Sequence, residues 1–282
     1  KNAIDENADT KAAFNQLQTY KQLIPSLFTY NAFLIVSDGW FAKGGTLSSD
    51  YSRFMEWKTA DGEKIVNTQT EPEMEPMIKG LLNKRTLLDV IRHFIVYEKT
   101  KEKTIKKIAA YHQYYAVNKA IETTVYATTT TQEETKGRAG VVWHTQGSGK
   151  SLTMVWLTKW IREFNDNARV LIITDREELD EQIEKVYKGV QEDIYRTKSG
   201  RDLLQQLNDT SPWLMCSLIH KFGGKDKGEE ATDEDVEKYL QELRSSIPTD
   251  FKAKGDIYVF VDECHRTQSG KLHEAMKQFI PD

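Results

Sequence analysis

Val141-Val142-Trp143-His144-Thr145-Gln146-Gly147-Ser148-Gly149-Lys150-Ser151 is an apolar run, then a glycine-bearing turn, then the start of a helical pattern. Chemically, this is how a chain holds a phosphate. Glycines let the main chain curl close enough for backbone N–H groups to face the anion, and the following helix N-terminus adds the positive end of its dipole. The spacing assigns Thr145, Gln146, Gly147, Ser148, Gly149, Lys150 and Ser151 to a nucleotide. Lys150 would reach the β and γ phosphates of ATP, and the Ser151 hydroxyl would ligate Mg²⁺. One position departs from G-x-x-x-x-G-K-[ST], because His144 stands where the first glycine is expected.

Downstream the pattern alternates. Short apolar runs at Gly140–Trp143, Arg169–Thr174, Trp213–Ile219 and Asp256–Val261 are separated by helical periodicity at Ser151–Phe164 and Glu177–Tyr187. Strand–helix alternation predicts a parallel α/β sheet with helices on its faces. The last run ends in Asp262-Glu263-Cys264-His265. A nucleotide hydrolase needs an Asp at a strand end to hold the Mg²⁺ shell and a neighbouring carboxylate to orient the attacking water. Asp262 and Glu263 take these catalytic roles, and Asp262 joins Ser151 as a metal residue. A zinc site at Cys264 and His265 fails for want of a second ligand pair. The stretch Gly223–Glu237, rich in Gly, Lys, Asp and Glu, is expected to be a surface loop.

Upstream, Asp9–Gln22 has helical spacing up to Pro25, and Asn31–Ser37 reads as a buried strand closed by Asp38-Gly39. Phe54–Thr59 is a further strand candidate. Residues 61–82 carry two prolines and little periodicity and are expected to be a linker. Arg85–Tyr97 and Lys103–Glu122 both have helical periodicity. Between Lys84 and Arg138, 11 Lys and Arg face 6 Asp and Glu, the one locally basic stretch. Its lysines from Lys99 to Lys107 leave two readings open, a solvated face or a nucleic-acid contact.

The whole chain is mildly acidic. Its 282 residues carry 39 Lys and Arg against 43 Asp and Glu, a net charge of -4, which excludes a uniformly basic nucleic-acid coat. A 39% share of hydrophobic residues is enough for packed cores, and the length favours two domains. Two cysteines cannot form a disulfide framework and suit a reducing cytoplasm. No run of 18 apolar residues is present, so no membrane span is expected.

G-S-G-K-S followed by D-E-C-H resembles superfamily 2 helicases and translocases. The wording H-T-Q-G-S-G-K-S, T-D-R-E-E-L-D-E-Q-I and D-E-C-H-R-T-Q resembles the R (HsdR) subunit of type I restriction enzymes. That resemblance implies a partial PD-(D/E)xK nuclease-like domain at residues 1–60, a linker at 61–82, and one RecA-like parallel α/β motor lobe at 83–282. It implies ATP-dependent translocation of duplex DNA followed by cleavage, with methyltransferase (M) and specificity (S) subunits as partners. Thr174–Gln182 and Ser217–Phe222 resemble motifs that face the DNA track.

Gln113, in Tyr111-His112-Gln113-Tyr114-Tyr115, resembles the family's adenine-reading glutamine, while Tyr114 or Tyr115 is expected in a core. Gln16 and Tyr20, four apart on the first helix, resemble the nuclease's Gln-x-x-x-Tyr, and Lys1 its catalytic lysine. The nuclease's metal-binding carboxylates and the second motor lobe with its arginine finger are expected to lie outside residues 1–282. On that expectation these residues alone would hydrolyse ATP very slowly. A superfamily 2 helicase or remodeller without nuclease activity is the alternative. A small-molecule P-loop kinase has no need of the D-E-C-H carboxylates.

Overall fold

A computed structural model describes residues 9–145, 147–174, 177–218, 233–247 and 251–262. The chain divides into two compact units, Lys1–Tyr126 with Ala139–Trp156, and Ala127–Arg138 with Leu157–Asp282.

In the first unit, helix α1 (Thr10–Leu23) starts where the Asp9 carboxylate accepts a bond from the Ala12 N–H at 2.7 Å. Its apolar face, Ala13, Phe14 and Leu17, packs on Phe28, Leu34, Val36 and Phe54. The short strands β1 (Leu34–Ser37) and β2 (Ala42–Gly45) pair antiparallel, Leu34 opposite Gly45. The Phe54–Thr59 stretch makes only isolated bridges, Gly44 to Met55 and Thr59 to Ile65.

Residues 61–82, expected to be a linker, are folded in part. A single turn α2 (Met74–Pro76) runs into a wider turn at Met77–Leu81, and Met77, Gly80 and Leu81 are buried. The apolar Met-Ile-x-Gly-Leu-Leu end of the stretch has something to pack against, and that outweighs the prolines. Glu73 is buried as well, and its Oε2 accepts from the Ala42 N–H at 3.0 Å.

Helix α3 (Lys84–His93) stops at Phe94, short of the expected end, and a hairpin follows, β3 (Ile95–Lys99) with β4 (Thr104–Ile108). The structure thus replaces parts of two expected helices by strands. Val96 and Ile108 are buried while Lys99, Lys101 and Lys103 are exposed, and the charges hide the two strands. Helix α4 (Tyr111–Thr129) then carries Tyr114 into an aromatic core, 4.8 Å from Phe94 and 5.6 Å from Trp57 between ring centroids.

Val141–Trp143 is not a strand. Among the described residues it has no neighbour to pair with, and Val141 and Trp143 are more than 70% exposed. β-forming side chains specify a strand only where a partner supplies the ladder.

The second unit is built on a parallel sheet in the order β6-β7-β5-β8. β5 (Ala168–Thr174) lies between β7 (Leu214–Leu218) and β8 (Asp256–Val261), with Ile172 opposite Cys216 on one side and Phe260 on the other. Every residue of β5 and β7 is buried, as a doubly covered parallel sheet requires. β6 (Tyr195–Arg196) is the short edge strand. The crossovers are α6 (Glu177–Gly189), α7 (Gly200–Leu207) and α8 (Asp233–Ser245). α7 and α8 place Leu203, Leu204, Leu207, Tyr239 and Leu243 on Leu171 and Met215. The expected Gly223–Glu237 loop falls mostly outside the described residues, and from Asp233 onward the chain is helical. This mixed α/β unit with its parallel sheet is consistent with a RecA-like lobe.

Candidate nucleotide site

Helix α5 (Lys150–Phe164) begins at the expected lysine, so Lys150 and Ser151 both sit in its first turn. Ahead of it the chain turns at Thr145–Ser148, closed by the Ser148 N–H at 3.2 Å and the Ser148 hydroxyl at 2.7 Å from the Thr145 carbonyl. Gly147 and Gly149 take φ of +78° and +85°, a region that side chains disfavour. Gln146 lies outside the described residues. The Gly149 carbonyl accepts the first bond of the helix, from the Thr153 N–H at 3.1 Å.

The start of α4 holds this loop. Gln113 is buried, and its Oε1 accepts from the Ala110 N–H at 2.9 Å, which caps its own helix. Its Nε2 donates at 3.1 Å to the carbonyls of both Ser148 and Gly149. A Cβ at Gly149 would lie 2.4 Å from that nitrogen, so glycine there serves close approach as well as φ. Both amide hydrogens of Gln113 are therefore engaged by the loop, and reading adenine would require releasing one. His112 brings a second donor to the Ser148 carbonyl, with Nε2 at 3.2 Å.

His144, at the missing glycine position, packs edge to face on His112 with ring centroids 5.3 Å apart. Its buried Nδ1 has no hydrogen-bond partner among the described residues. Burial first, then the neighbouring His112 and Lys150, lower its pKa from the ordinary imidazole value. His112 and His144 were not among the expected site residues. Their signal was an imidazole beside Gln113 and another in place of a glycine.

The residues present fit a nucleotide's phosphates. Two glycines in the left-handed region, pinned carbonyls and the N-terminus of a 15-residue helix lie in one continuous stretch. Residues 112–282 match the SWI2/SNF2 ATPase family. The chain belongs to that family. An ATPase uses nucleotide, and the match to this SWI2/SNF2 ATPase begins at His112, immediately before the glutamine that grips the loop.

The chain is also 38% identical, over 99% of its length, to the type I restriction enzyme HindI endonuclease subunit of Haemophilus influenzae. It is 31% identical, over 98%, to a relative named putative type I restriction enzyme MjaIXP endonuclease subunit in Methanocaldococcus jannaschii. It spans about a quarter of the length of these relatives, 26% of each. The resemblance read from the H-T-Q-G-S-G-K-S and D-E-C-H-R-T-Q wording is borne out.

In the sheet unit of this ATPase, the Asp262 N–H donates to the Ile173 carbonyl at 2.9 Å, which fixes residue 262 by the β5–β8 register. Glu263 and the D-E-C-H residues after it lie outside the described residues, as does Lys1. Gln16 and Tyr20 are both exposed and lie four apart on one face of α1.

The T-D-R-E-E-L-D stretch contributes a structural carboxylate. Asp180 on α6 is fully buried and bonds to Arg196 through Nε at 2.6 Å and through a second guanidinium nitrogen, and it accepts from the Cys216 thiol at 2.7 Å. Glu184 shares the guanidinium at 3.1 Å. Among the described residues no helix is long and apolar enough to cross a membrane.

Proposed function

We propose that this chain is part of the motor and endonuclease subunit of a type I restriction-modification system, working in the cytoplasm. Such a subunit pumps duplex DNA with ATP and then cuts it, in complex with methyltransferase and specificity subunits. The observation that carries the motor reading is the glycine turn ahead of α5, whose Ser148 and Gly149 carbonyls Gln113 holds from behind. The similarity of nearly all of this chain to about a quarter of two restriction endonuclease subunits supports the system.

On this reading the motor lobe occupies residues 83–282. The N–H groups of Gly147, Ser148, Gly149 and Lys150 bind the phosphates, and Thr145 and Gln146 belong to the same nucleotide-binding set. The Lys150 ammonium offsets charge on the β and γ phosphates. Ser151 and Asp262 would hold Mg²⁺, which supplies charge neutralisation on the phosphoryl oxygens. Glu263 orients the attacking water. Gln16 and Tyr20 on α1, with Lys1, belong to the nuclease portion at residues 1–60. The lysines at the tip of the β3–β4 hairpin, Lys99, Lys101 and Lys103, are exposed and offer a local contact to DNA phosphates.

The test is ATP hydrolysis by the full-length protein with and without duplex DNA. Stimulation by duplex is expected, with linear DNA cut only when ATP is present. Hydrolysis indifferent to DNA would remove the motor reading, and DNA-stimulated hydrolysis without any cleavage would leave a remodeller in place of the nuclease.

A further inference from the structure

The loop's hydrogen bonds fix more than its position. The peptide units 148–149 and 149–150 are trans, the one cis peptide among the described residues being Ser211–Pro212. In a trans peptide the C=O and the N–H point to opposite sides of one plane. Whatever holds the Ser148 and Gly149 carbonyls therefore also aims the Gly149 and Lys150 N–H groups. Two groups hold them, the Thr153 N–H at 3.1 Å from the Gly149 carbonyl and the first turn of α4. Gln113 Nε2 lies 3.1 Å from both carbonyls, and His112 Nε2 lies 3.2 Å from that of Ser148. A carbonyl only accepts, so His112 contributes its Nε2–H and the two lone pairs of Ser148 are both engaged. The N–H groups of Gly149 and Lys150 then face away from α4, on the side left to a ligand.

We propose that His112 is a positioning residue for the phosphate loop: its Nε2–H, together with Gln113, turns the Gly149 and Lys150 N–H groups toward the nucleotide's phosphates. His144 supports it by packing its ring on that of His112 at 5.3 Å, a contact a glycine at position 144 would not make. The imidazole in place of the first glycine thus has a task. A ring contact to the preceding helix stands where the G-x-x-x-x-G-K-[ST] pattern has its first glycine.

This inference rests on residues 144–151 being a phosphate loop, and the test separates the two. The cradle grips ground state and transition state alike, so its loss raises KM while sparing kcat. In the full-length protein with duplex DNA, His112→Phe keeps a ring but removes the donor. It is expected to raise KM for ATP about fivefold to tenfold, the worth of one hydrogen bond, with kcat changed less than about threefold. His112→Gln restores an N–H donor of similar reach and is expected to bring KM back within about threefold of wild type. A general loss of folded protein would lower kcat and leave KM alone, and that result for H112F overturns the proposal. Should H112F not fold, H112Q still decides, since a KM raised tenfold with a donor present also overturns it. Lys150→Ala is the reference. If K150A turns over ATP like wild type, the phosphate-loop reading itself has failed, whereas loss in K150A with an unchanged KM in H112F rejects the role of His112 alone.

Discussion

Two buried polar side chains, one in each unit, hold main-chain carbonyls, and they do so for different ends. Arg169 stands in β5, near the end at which the strand enters the sheet, and its guanidinium donates to the carbonyls of Gln206, Leu207, Asp209, Pro212 and Lys254. It ties the end of α7 and the strand entries of β7 and β8 to the centre of the sheet. Gln113 grips two carbonyls of a single loop that precedes a helix. In parallel α/β folds ligands gather at the carboxyl ends of strands, away from where Arg169 sits. On the proposed reading the first clamp serves stability and the second the nucleotide site. Burial of a polar group says that it is satisfied, and the carbonyls it holds say what for.

The comparison breaks most sharply at Arg169. Arg169→Met fills the space but leaves several buried carbonyls without donors, and is expected to cost about 4 kcal/mol of unfolding free energy. Urea denaturation measures it, and the fraction that folds should keep a wild-type KM for ATP. An altered KM would blur the division between the clamps.

Asp180→Asn leaves the Arg196 guanidinium with a weaker partner at a buried site. A loss of about 2 kcal/mol is expected by the same denaturation, with nucleotide binding unaffected. Gln113→Leu should do the reverse. It is expected to raise KM for ATP about tenfold while the unfolding free energy falls by only about 1 kcal/mol, because the loop carbonyls can turn to water.

The smallest effect is expected at Glu73. Burial raises its carboxyl pKa above the ordinary range, so the folded state favours the protonated form. Its contribution to stability is full below the unfolded-state value and lost as pH rises through the folded one. Glu73→Gln keeps an acceptor for the Ala42 N–H and removes the charge. A slightly higher melting temperature at pH 7, and none at pH 4, is the expected outcome of thermal melts at the two values.

Much of the sheet unit is legible in the sequence, because R-V-L-I-I-T and D-I-Y-V-F-V are apolar runs too short for a helix and read as strands of a parallel sheet. The helix at Lys150 is legible for a different reason, since G-S-G-K-S states its own turn. The β3–β4 hairpin is not, because its charged residues crowd out the apolar ones and leave Val96 and Ile108 as the only buried side chains of the two strands. Val141–Trp143 misleads in the opposite direction, since its side chains favour a strand that no described neighbour completes. Gln113 can be singled out by resemblance, but not its grip on a loop 35 residues away. Arg169 gives no signal at all, since a charged residue at a strand's start reads as a surface position until α7 is seen to end against it.

The central claim, that residues 144–151 bind the phosphates of ATP, is tested most directly by titrating ATP against the full-length protein and its Lys150→Ala variant. A loss of affinity or turnover of about 10²-fold or more in the variant, with the fold intact by circular dichroism, is the result expected. Equal binding and turnover in the two proteins would contradict it.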